Sequence, residues 1–257
     1  MGYLRCSGGR YLLTELSECL TEQHPESLKY ACLHWAGETM NAWQNLDIAM
    51  QRETSTFETI YGCNIFSYIE KDEKKLDEYH RAMYEYARDD YRDLPSVIDF
   101  GKYKSVLDCG GGYGAAISII KKAYPSVDCC LFDRPDVVKK TCTQDVTTIG
   151  GDFFDAIPSG YEMILLSRVI HDWKDAKALI ILKNCYNALP IGGTLLIIEN
   201  CTEHIDDISF LALNMFAVCN SFERTSSEYV RLSEQVGFQF IEQKQLNDLQ
   251  TIMIFTK

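Results

Sequence analysis

The spacing of apolar and polar residues changes character near Leu94-Pro95. Before this point, apolar and aromatic residues recur mainly at helical spacing. This pattern predicts three helical segments, over residues 27–50, 56–70 and 76–90. The first residues differ, because Tyr3–Cys6 and Arg10–Leu13 flank Ser7-Gly8-Gly9 and predict a short hairpin. We therefore expect a hairpin followed by a mainly helical region.

After Pro95, short continuous apolar runs alternate with helical patterns. The runs predict strands over residues 104–109, 128–132, 146–149, 162–167 and 194–199. Helices are predicted over 115–123, 176–188 and the strongly apolar 206–220. Continuous apolar strands separated by helices are typical of a parallel sheet covered on both faces. The runs 238–246 and 250–256 predict an antiparallel hairpin at the sheet edge. Two domains are expected, 1–95 and 96–257.

Charge and cysteine usage narrow the classes of partner. The 257 residues carry a formal charge of −12, which disfavours nucleic acid and anionic membrane surfaces as partners. Eleven cysteines are scattered without a CxxC pair, which favours a reducing, cytoplasmic location over a disulfide scaffold. No apolar run is long enough to span a bilayer. A small neutral or cationic partner fits this surface better.

A glycine-rich turn follows the first strand of the second region. Gly110, Gly112 and Gly114 would let the backbone approach a ligand closely, beside the start of a helix. The glycines, with Asp133 after the next strand, also fit a nicotinamide dinucleotide fingerprint. Asp108 within the strand and Asp152-Phe153 after the third strand favour another adenine-containing ligand.

A histidine follows a strand that the pattern predicts to be wholly buried. In "SRVIHDW", His171 lies just beyond the apolar run 163–166, at the sheet edge where such folds bind ligands. One interpretation is a buried structural histidine, and the other is a general base. Glu199 ends the next strand on the same edge, where it could orient the imidazole.

Six motifs in chain order carry a resemblance to a known family. They are VLDCGGGYGA, LFDRPDVV, GGDFFDAIP, LLSRVIHDWKD, LKNCYNALPIGGTLLIIE and ERTSSEYVRLSEQVGF, with FETIYGCNIFSYI and YHRAMYEYA upstream. Together they resemble the S-adenosylmethionine-dependent O-methyltransferases of the plant caffeic-acid and hydroxyindole type and their bacterial relatives. The resemblance implies an α/β fold with a Rossmann-like class I methyltransferase sheet, mostly parallel with an antiparallel last strand. A mainly helical, truncated winged-helix-type region for dimerisation and substrate covering would precede it.

The resemblance also implies roles for individual residues. His171 would be the general base, with Glu199 and Glu223 as its carboxylate partners. The cofactor-binding residues would be Asp108, Gly110, Gly112, Asp133, Asp152, Phe153, Ser167 and Trp173. Ser167 stands where plant members have a lysine. Candidates for the acceptor wall are Tyr79, Met83, Asn214, Met215, Val218 and Cys219. No metal is expected.

The predicted activity is methyl transfer to a hydroxyl of a small aromatic or polyketide-like natural product. Because a free imidazole titrates at about pH 6.5, we expect the base to ionise near neutrality. Two alternatives remain, a non-transfer reaction with the same cofactor and a subunit active only with a partner chain. The chain begins at what looks like the wing hairpin of the family, so we expect a homodimer or a complex with a second chain that supplies N-terminal helices.

Overall fold

The computed structural model describes residues 2–52, 54–141, 143–203 and 208–257. Its first part is a hairpin followed by helices, as predicted. The hairpin strands are β1 (Leu4–Ser7) and β2 (Arg10–Leu13). The helices are α1 (Glu15–Glu18), α2 (Lys29–Ala36), α3 (Glu38–Gln44), α4 (Leu46–Arg52), α5 (Thr56–Tyr61), α6 (Ile65–Ile69), α7 (Glu73–Asp90) and α8 (Leu94–Val97).

Two of the predicted helices are divided. The segment 27–50 contains breaks at Gly37, where the backbone leaves helical geometry (φ −90°, ψ −132°), and at Asn45. The segment 56–70 is divided because Gly62 adopts a left-handed conformation (φ 73°) that ends α5. The Asn64 side chain then caps α6 by accepting a hydrogen bond from the Ser67 amide at 2.9 Å. Apolar periodicity persists across these turns, so the pattern alone did not locate them.

The second part is a sheet with helices on both faces. Its elements are β3 (Ser105–Cys109), α9 (Ala115–Ala123), β4 (Asp128–Asp133), α10 (Pro135–Val138), β5 (Thr147–Gly150), β6 (Met163–Ser167), α11 (Asp175–Ala188), β7 (Thr194–Asn200), α12 (Ile208–Cys219), α13 (Ser226–Gln235), β8 (Gln239–Gln245) and β9 (Gln250–Thr256). The strand order is β5-β4-β3-β6-β7-β9-β8. The first five are parallel, and β9 runs antiparallel to both neighbours, as predicted. Residues 204–207, where the predicted helix 206–220 begins, lie outside the described residues.

Alternating side chains explain the continuous apolar strands. Successive strand residues point to opposite faces. Leu107 and Ile164 therefore pack in a core with α11 and α13, whereas Val106 and Leu165 pack in a second core with α9. A third cluster joins Phe57 and other helical-region residues to α12.

Loops at the carboxyl ends of β3, β4, β6 and β7 meet at one edge of the sheet, beneath α6, α7 and α12. Among the described residues, no helix has the length and apolar character needed to cross a membrane.

Candidate active site

A cavity of about 500 Å³ lies between this sheet edge and the helical region. It is lined by every residue assigned above to the cofactor or the acceptor wall, and by His171. Glu199 and Glu223 lie behind His171 and are buried, with exposed fractions of 0% and 6%. The predicted site residues therefore converge on one cavity.

The glycine-rich turn forms one wall of the cavity. Gly110 and Gly112 have φ values of +77° and +59°, which glycine adopts without steric cost. A Cβ atom at Gly111 would lie 2.4 Å from Asp108 Oδ2 and 2.5 Å from Leu131 Cδ1. The Gly112 amide donates a hydrogen bond to Asp133 Oδ2 at 2.8 Å, so the turn and Asp133 are fixed to one another.

Two carboxylates at the turn have raised pKa values. Asp108 is completely buried, and neither of its oxygens has a hydrogen bond of good geometry within the described chain. Burial, and then the charge of Asp133, raise its pKa to about 7. Burial raises the pKa of Asp133 to about 6, although amide hydrogen bonds from Arg134 and Gly112 oppose the shift. The Ile117 amide opposes the rise in the pKa of Asp108 only in part, and a buried carboxylate so weakly compensated fits a cationic ligand group.

An aromatic cluster forms another part of the cavity wall, and Phe153 of this cluster lies beside Gly110. The Trp173 ring stacks on Phe66 with centroids 5.3 Å apart. Phe153 and Phe154 meet it edge-on at 6.2 and 4.8 Å. Lys177 Nζ lies 4.7 Å from the centroid of the same ring. These flat faces suit a planar heteroaromatic ring. Our sequence analysis did not assign Phe66, although its motif was recognised.

The His171 imidazole is held from behind by Glu223. Its Nδ1 lies 3.0 and 3.1 Å from the two carboxylate oxygens, and this pairing places the proton on Nδ1. Asn200 Nδ2 donates a hydrogen bond to the same carboxylate at 3.3 Å. Nε2 lies 3.7 Å from Asp172 Oδ1 and is left for a ligand in the cavity.

Glu199 holds the backbone of the histidine turn. Its Oε1 accepts hydrogen bonds from the amides of Val169, Ile170 and His171 at 3.0, 2.7 and 3.3 Å. Its Oε2 lies 3.7 Å from His171 Nδ1 and has no hydrogen-bond partner in the described part of the chain. We expected both glutamates to orient the ring, but Glu223 binds the ring and Glu199 binds the backbone.

The charge around His171 differs from our expectation of a near-neutral base. Burial lowers the pKa of the imidazole, but the carboxylates of Glu223, Glu199 and Asp172 outweigh it and raise the pKa to about 10. Burial raises the pKa of Glu199 to about 7. Burial also raises the pKa of Glu223, but the charge of the His171 imidazole outweighs burial, so the pKa of Glu223 is lowered. Asp172 is the next residue in the chain, but sequence analysis did not anticipate the combined effect of the three carboxylates on the pKa of His171.

The three buried groups also have the spacing of a metal site. Ligand atoms of His171, Glu199 and Glu223 lie within 4.8 Å of one another. A metal ion at Nδ1 would have to displace the proton that the Glu223 hydrogen bond stabilises.

The acceptor side of the cavity is mostly apolar and aromatic. Asn214 Oδ1 accepts a hydrogen bond from Trp43 Nε1 at 2.8 Å, which links α12 to α3. The Cys219 thiol donates to Asp172 Oδ1 at 3.6 Å. The Tyr79 ring contacts Phe66 edge-on at 6.0 Å. These contacts fix the orientation of the wall.

Sequence analysis also did not identify His34, His80 and Arg168, which line the cavity. Burial lowers the pKa values of His34 and His80 to about 4, so both imidazoles are neutral at pH 7. Arg168 has a left-handed backbone (φ 53°) and pairs with Asp90 Oδ2 at 3.2 Å. His80 and Arg168 lie within motifs that we recognised, whereas His34 had no distinguishing signal.

The strand order, the glycine turn and the ligand edge define a class I methyltransferase fold. The family model described as the O-methyltransferase domain matches residues 43–239, and the chain belongs to this family. This confirms the resemblance drawn from the motifs.

Individual relatives agree with this assignment. The phenazine O-methyltransferase of Lysobacter antibioticus is 30% identical over 241 residues, which cover 90% of this chain and 71% of the relative. The crystal structure of LaPhzM superposes with a TM-score of 0.92 at 26% identity, covering 99% of this chain and 80% of that one. Human N-acetylserotonin methyltransferase, solved in complex with SAM, has a TM-score of 0.88 at 25% identity, covering 99% and 78%.

Proposed function

We propose that the protein transfers a methyl group from S-adenosylmethionine to a hydroxyl of a small aromatic or polyketide-like natural product, with His171 as the general base. The observation that carries this proposal is the buried contact of His171 Nδ1 with Glu223 at 3.0 Å, in the wall of the cavity that the glycine turn also lines. A structural histidine would not need a cavity in front of its other nitrogen.

The cofactor end of the cavity fits a charged adenine nucleoside. When bound, S-adenosylmethionine supplies an activated methyl group on a sulfonium. Asp108 has the unpaired buried charge to hold a cationic group of its amino-acid part, near Gly110, Gly112 and Ser167. Asp133 would accept hydrogen bonds from the ribose hydroxyls.

The adenine would lie between the aromatic cluster and Asp152. Phe153 and Trp173 offer ring faces and edges on this side of the cavity, and both line it. The Asp152 side chain accepts the Phe154 amide hydrogen bond at 2.8 Å, which fixes its position beside the cluster. Phe66 would contribute a further aromatic face from the helical region.

His171 would accept the proton of the acceptor hydroxyl through Nε2. A phenol titrates near pH 10, close to the raised pKa of His171, so transfer of the phenol proton to the neutral imidazole costs little free energy. Because the imidazolium predominates at neutral pH, we expect the reaction to speed up as the pH rises. Glu223 then stabilises the imidazolium that forms, and Glu199 keeps the turn in place. Such a base contributes about 10²–10⁴ in rate.

The acceptor class follows from the lining and from the relatives. Tyr79, Met83, Met215, Val218 and Cys219 present aromatic, thioether, aliphatic and thiol groups, which suit a flat apolar molecule. The names of the phenazine and N-acetylserotonin methyltransferases also indicate aromatic acceptors. The chain spans 71% of the first of these proteins and 78% of the second, and the acceptor class of this chain is part of the proposal.

The proposal can be tested with S-adenosylmethionine carrying a ¹³C-labelled methyl group. The protein is incubated with a panel of phenols, aromatic amines and carbon nucleophiles, and the products are examined by mass spectrometry and NMR. We expect ¹³C-methoxy products from phenols. Label on nitrogen or carbon would contradict O-methylation, and cofactor turnover without any methylated product would favour the non-transfer alternative. Tighter binding of NAD than of S-adenosylmethionine would refute the cofactor assignment.

A further inference from the structure

The turn that carries His171 exposes peptide groups on two sides. Its amides, from Val169 to His171, point to the Glu199 carboxylate. Its carbonyl groups point the other way, toward the guanidinium of Arg224. Arg224 Nη1 donates to the carbonyl of Ile170 at 3.3 Å, and Nη2 donates to the carbonyl of Trp173 at 2.7 Å. A carboxylate and a guanidinium therefore hold the same short segment from opposite sides.

Arg224 is itself fixed at both ends. Its guanidinium binds Asp175 Oδ1 through Nη2 at 2.8 Å and through Nε at 3.2 Å. Its backbone carbonyl accepts the Thr202 amide at 3.2 Å, beside the bridge with Cys201 that continues β7. The residue is 1% exposed, and its guanidinium lies 4.7 Å from the centroid of the Phe222 ring. Because the backbone of Arg224 is paired beside β7 and its guanidinium binds the turn, the residue fixes the turn relative to this strand.

The two peptide carbonyls that Arg224 binds flank two different parts of the site. Ile170 directly precedes His171, which faces the acceptor. Trp173 belongs to the aromatic cluster at the cofactor end, where it stacks on Phe66. The neighbouring Glu223 binds the imidazole ring itself. One dipeptide, Glu223-Arg224, therefore fixes the ring of His171, its backbone and the adjoining aromatic wall.

We infer that Arg224 is a positioning residue that sets the spacing between the His171 imidazole and the Trp173 wall, and so couples alignment of the acceptor to binding of the cofactor. The expected effect on kcat rests on the proposed function, whereas the expected effect on cofactor affinity does not depend on any acceptor. Arginine is required because a planar fork can reach two carbonyls and a carboxylate at once. A lysine ammonium keeps the charge but donates from a single point.

The experiment compares Arg224→Lys with Tyr229→Phe in the full chain. Tyr229 packs against Arg224 and is buried, and its hydroxyl has no hydrogen-bond partner in the described residues. Its change thus removes a hydroxyl from the same region without removing a hydrogen bond to the turn. We expect Arg224→Lys to reduce kcat by about 10²-fold, as for a reacting group displaced by about 1 Å. The dissociation constant of S-adenosylhomocysteine, followed by tryptophan fluorescence, should rise about tenfold in the same variant. Tyr229→Phe should change neither quantity more than twofold.

A chemical rescue separates positioning from general stability. In Arg224→Ala, added guanidinium ion should restore part of the cofactor affinity and of kcat, whereas equal concentrations of sodium chloride should not. If Arg224→Lys fails to fold, Asp175→Asn decides, because it loosens the guanidinium from outside the cavity. We expect cofactor affinity to fall three- to tenfold, because a loosened guanidinium holds the Trp173 segment less firmly.

Unchanged cofactor affinity and kcat in a folded Arg224→Lys would overturn the inference, as would an unaffected Asp175→Asn where the lysine variant is unfolded. If the wild-type protein methylates no acceptor, the proposed function fails, but the cofactor measurements still test the position of Trp173. The two failures are therefore distinguishable.

Discussion

Replacement of Glu223 by glutamine tests whether the negative charge of Glu223 supports His171 as the base. The change keeps the size of the side chain but removes the charge 3.0 Å from His171 Nδ1. It also places an amide NH₂ group where it competes with the ring proton. Hydrogen bonds to charged groups contribute about 1.5–3 kcal/mol, and each 1.36 kcal/mol corresponds to about tenfold in rate. We therefore expect the plateau rate of methyl transfer to fall by about 10–100-fold.

The same substitution should move the pH dependence in a defined direction. His171 acts as a base only when neutral, so the wild-type rate should rise with pH toward the raised pKa of about 10. Loss of the Glu223 charge lowers that pKa, because the carboxylate favours the imidazolium. The rising limb of kcat/KM should therefore shift to lower pH in the variant, even though its plateau is lower.

The assay measures initial rates of methyl transfer to one phenol from pH 6 to well above the raised pKa of about 10, so that both the limb and the plateau are recorded. Glu228→Gln is the matched control, since the Glu228 carboxylate hydrogen-bonds Thr225 at the start of α13 rather than His171. Ionisation of the phenol is common to all three proteins, so any difference in the limb arises from the enzyme. If the rising limb in Glu223→Gln stays at the same pH or moves to higher pH, Glu223 does not raise the pKa of His171 as assigned.

Three further results are expected. Asp133→Ala should weaken binding of S-adenosylmethionine by about 1.5–3 kcal/mol in calorimetry, and unchanged affinity would mean that the ribose is held elsewhere. Because burial raises the pKa of Asp108 to about 7 and of Asp133 to about 6, cofactor affinity should fall as the pH drops from 8 to 5. A flat profile would contradict a role for these carboxylates in ionised form. The exposed apolar side chains of the hairpin and α1, including Tyr11 and Leu16, lead us to propose self-association or a partner chain. Light scattering that shows a monomer at micromolar concentration would contradict self-association.

The pattern of apolar residues along the chain predicted the buried strands of the sheet. β3, β4, β6 and β7 were predicted because continuous apolar runs require two covered faces, and the structure places them in two cores. β5 lies at the sheet edge and is largely exposed. The divisions at Gly37 and Gly62 were missed, because turn chemistry there interrupts a helix without interrupting the apolar pattern. The residues that sequence analysis assigned to the cofactor and the acceptor all line one cavity.

Contacts between distant segments could not be predicted from the same patterns. Arg224 and Phe66 lie within recognised motifs, but the motifs do not reveal their partners, which lie far away in the chain. Glu199 was expected to bind the imidazole, but the β6–β7 register places its oxygen under the amides of the turn. The pKa of His171 depends on three carboxylates from different segments, so only the folded chain reveals its direction.

The central claim is that His171 removes the acceptor proton, and comparison of wild type with His171→Ala tests it most directly. Methyl transfer is measured with phenols of graded acidity, together with the affinity for S-adenosylhomocysteine. The account predicts nearly unchanged affinity, a loss of turnover of about 10²–10⁴ for weakly acidic phenols, and a smaller loss for phenols that ionise unaided. Full activity of His171→Ala with a weakly acidic phenol would contradict the account and leave His171 a structural residue.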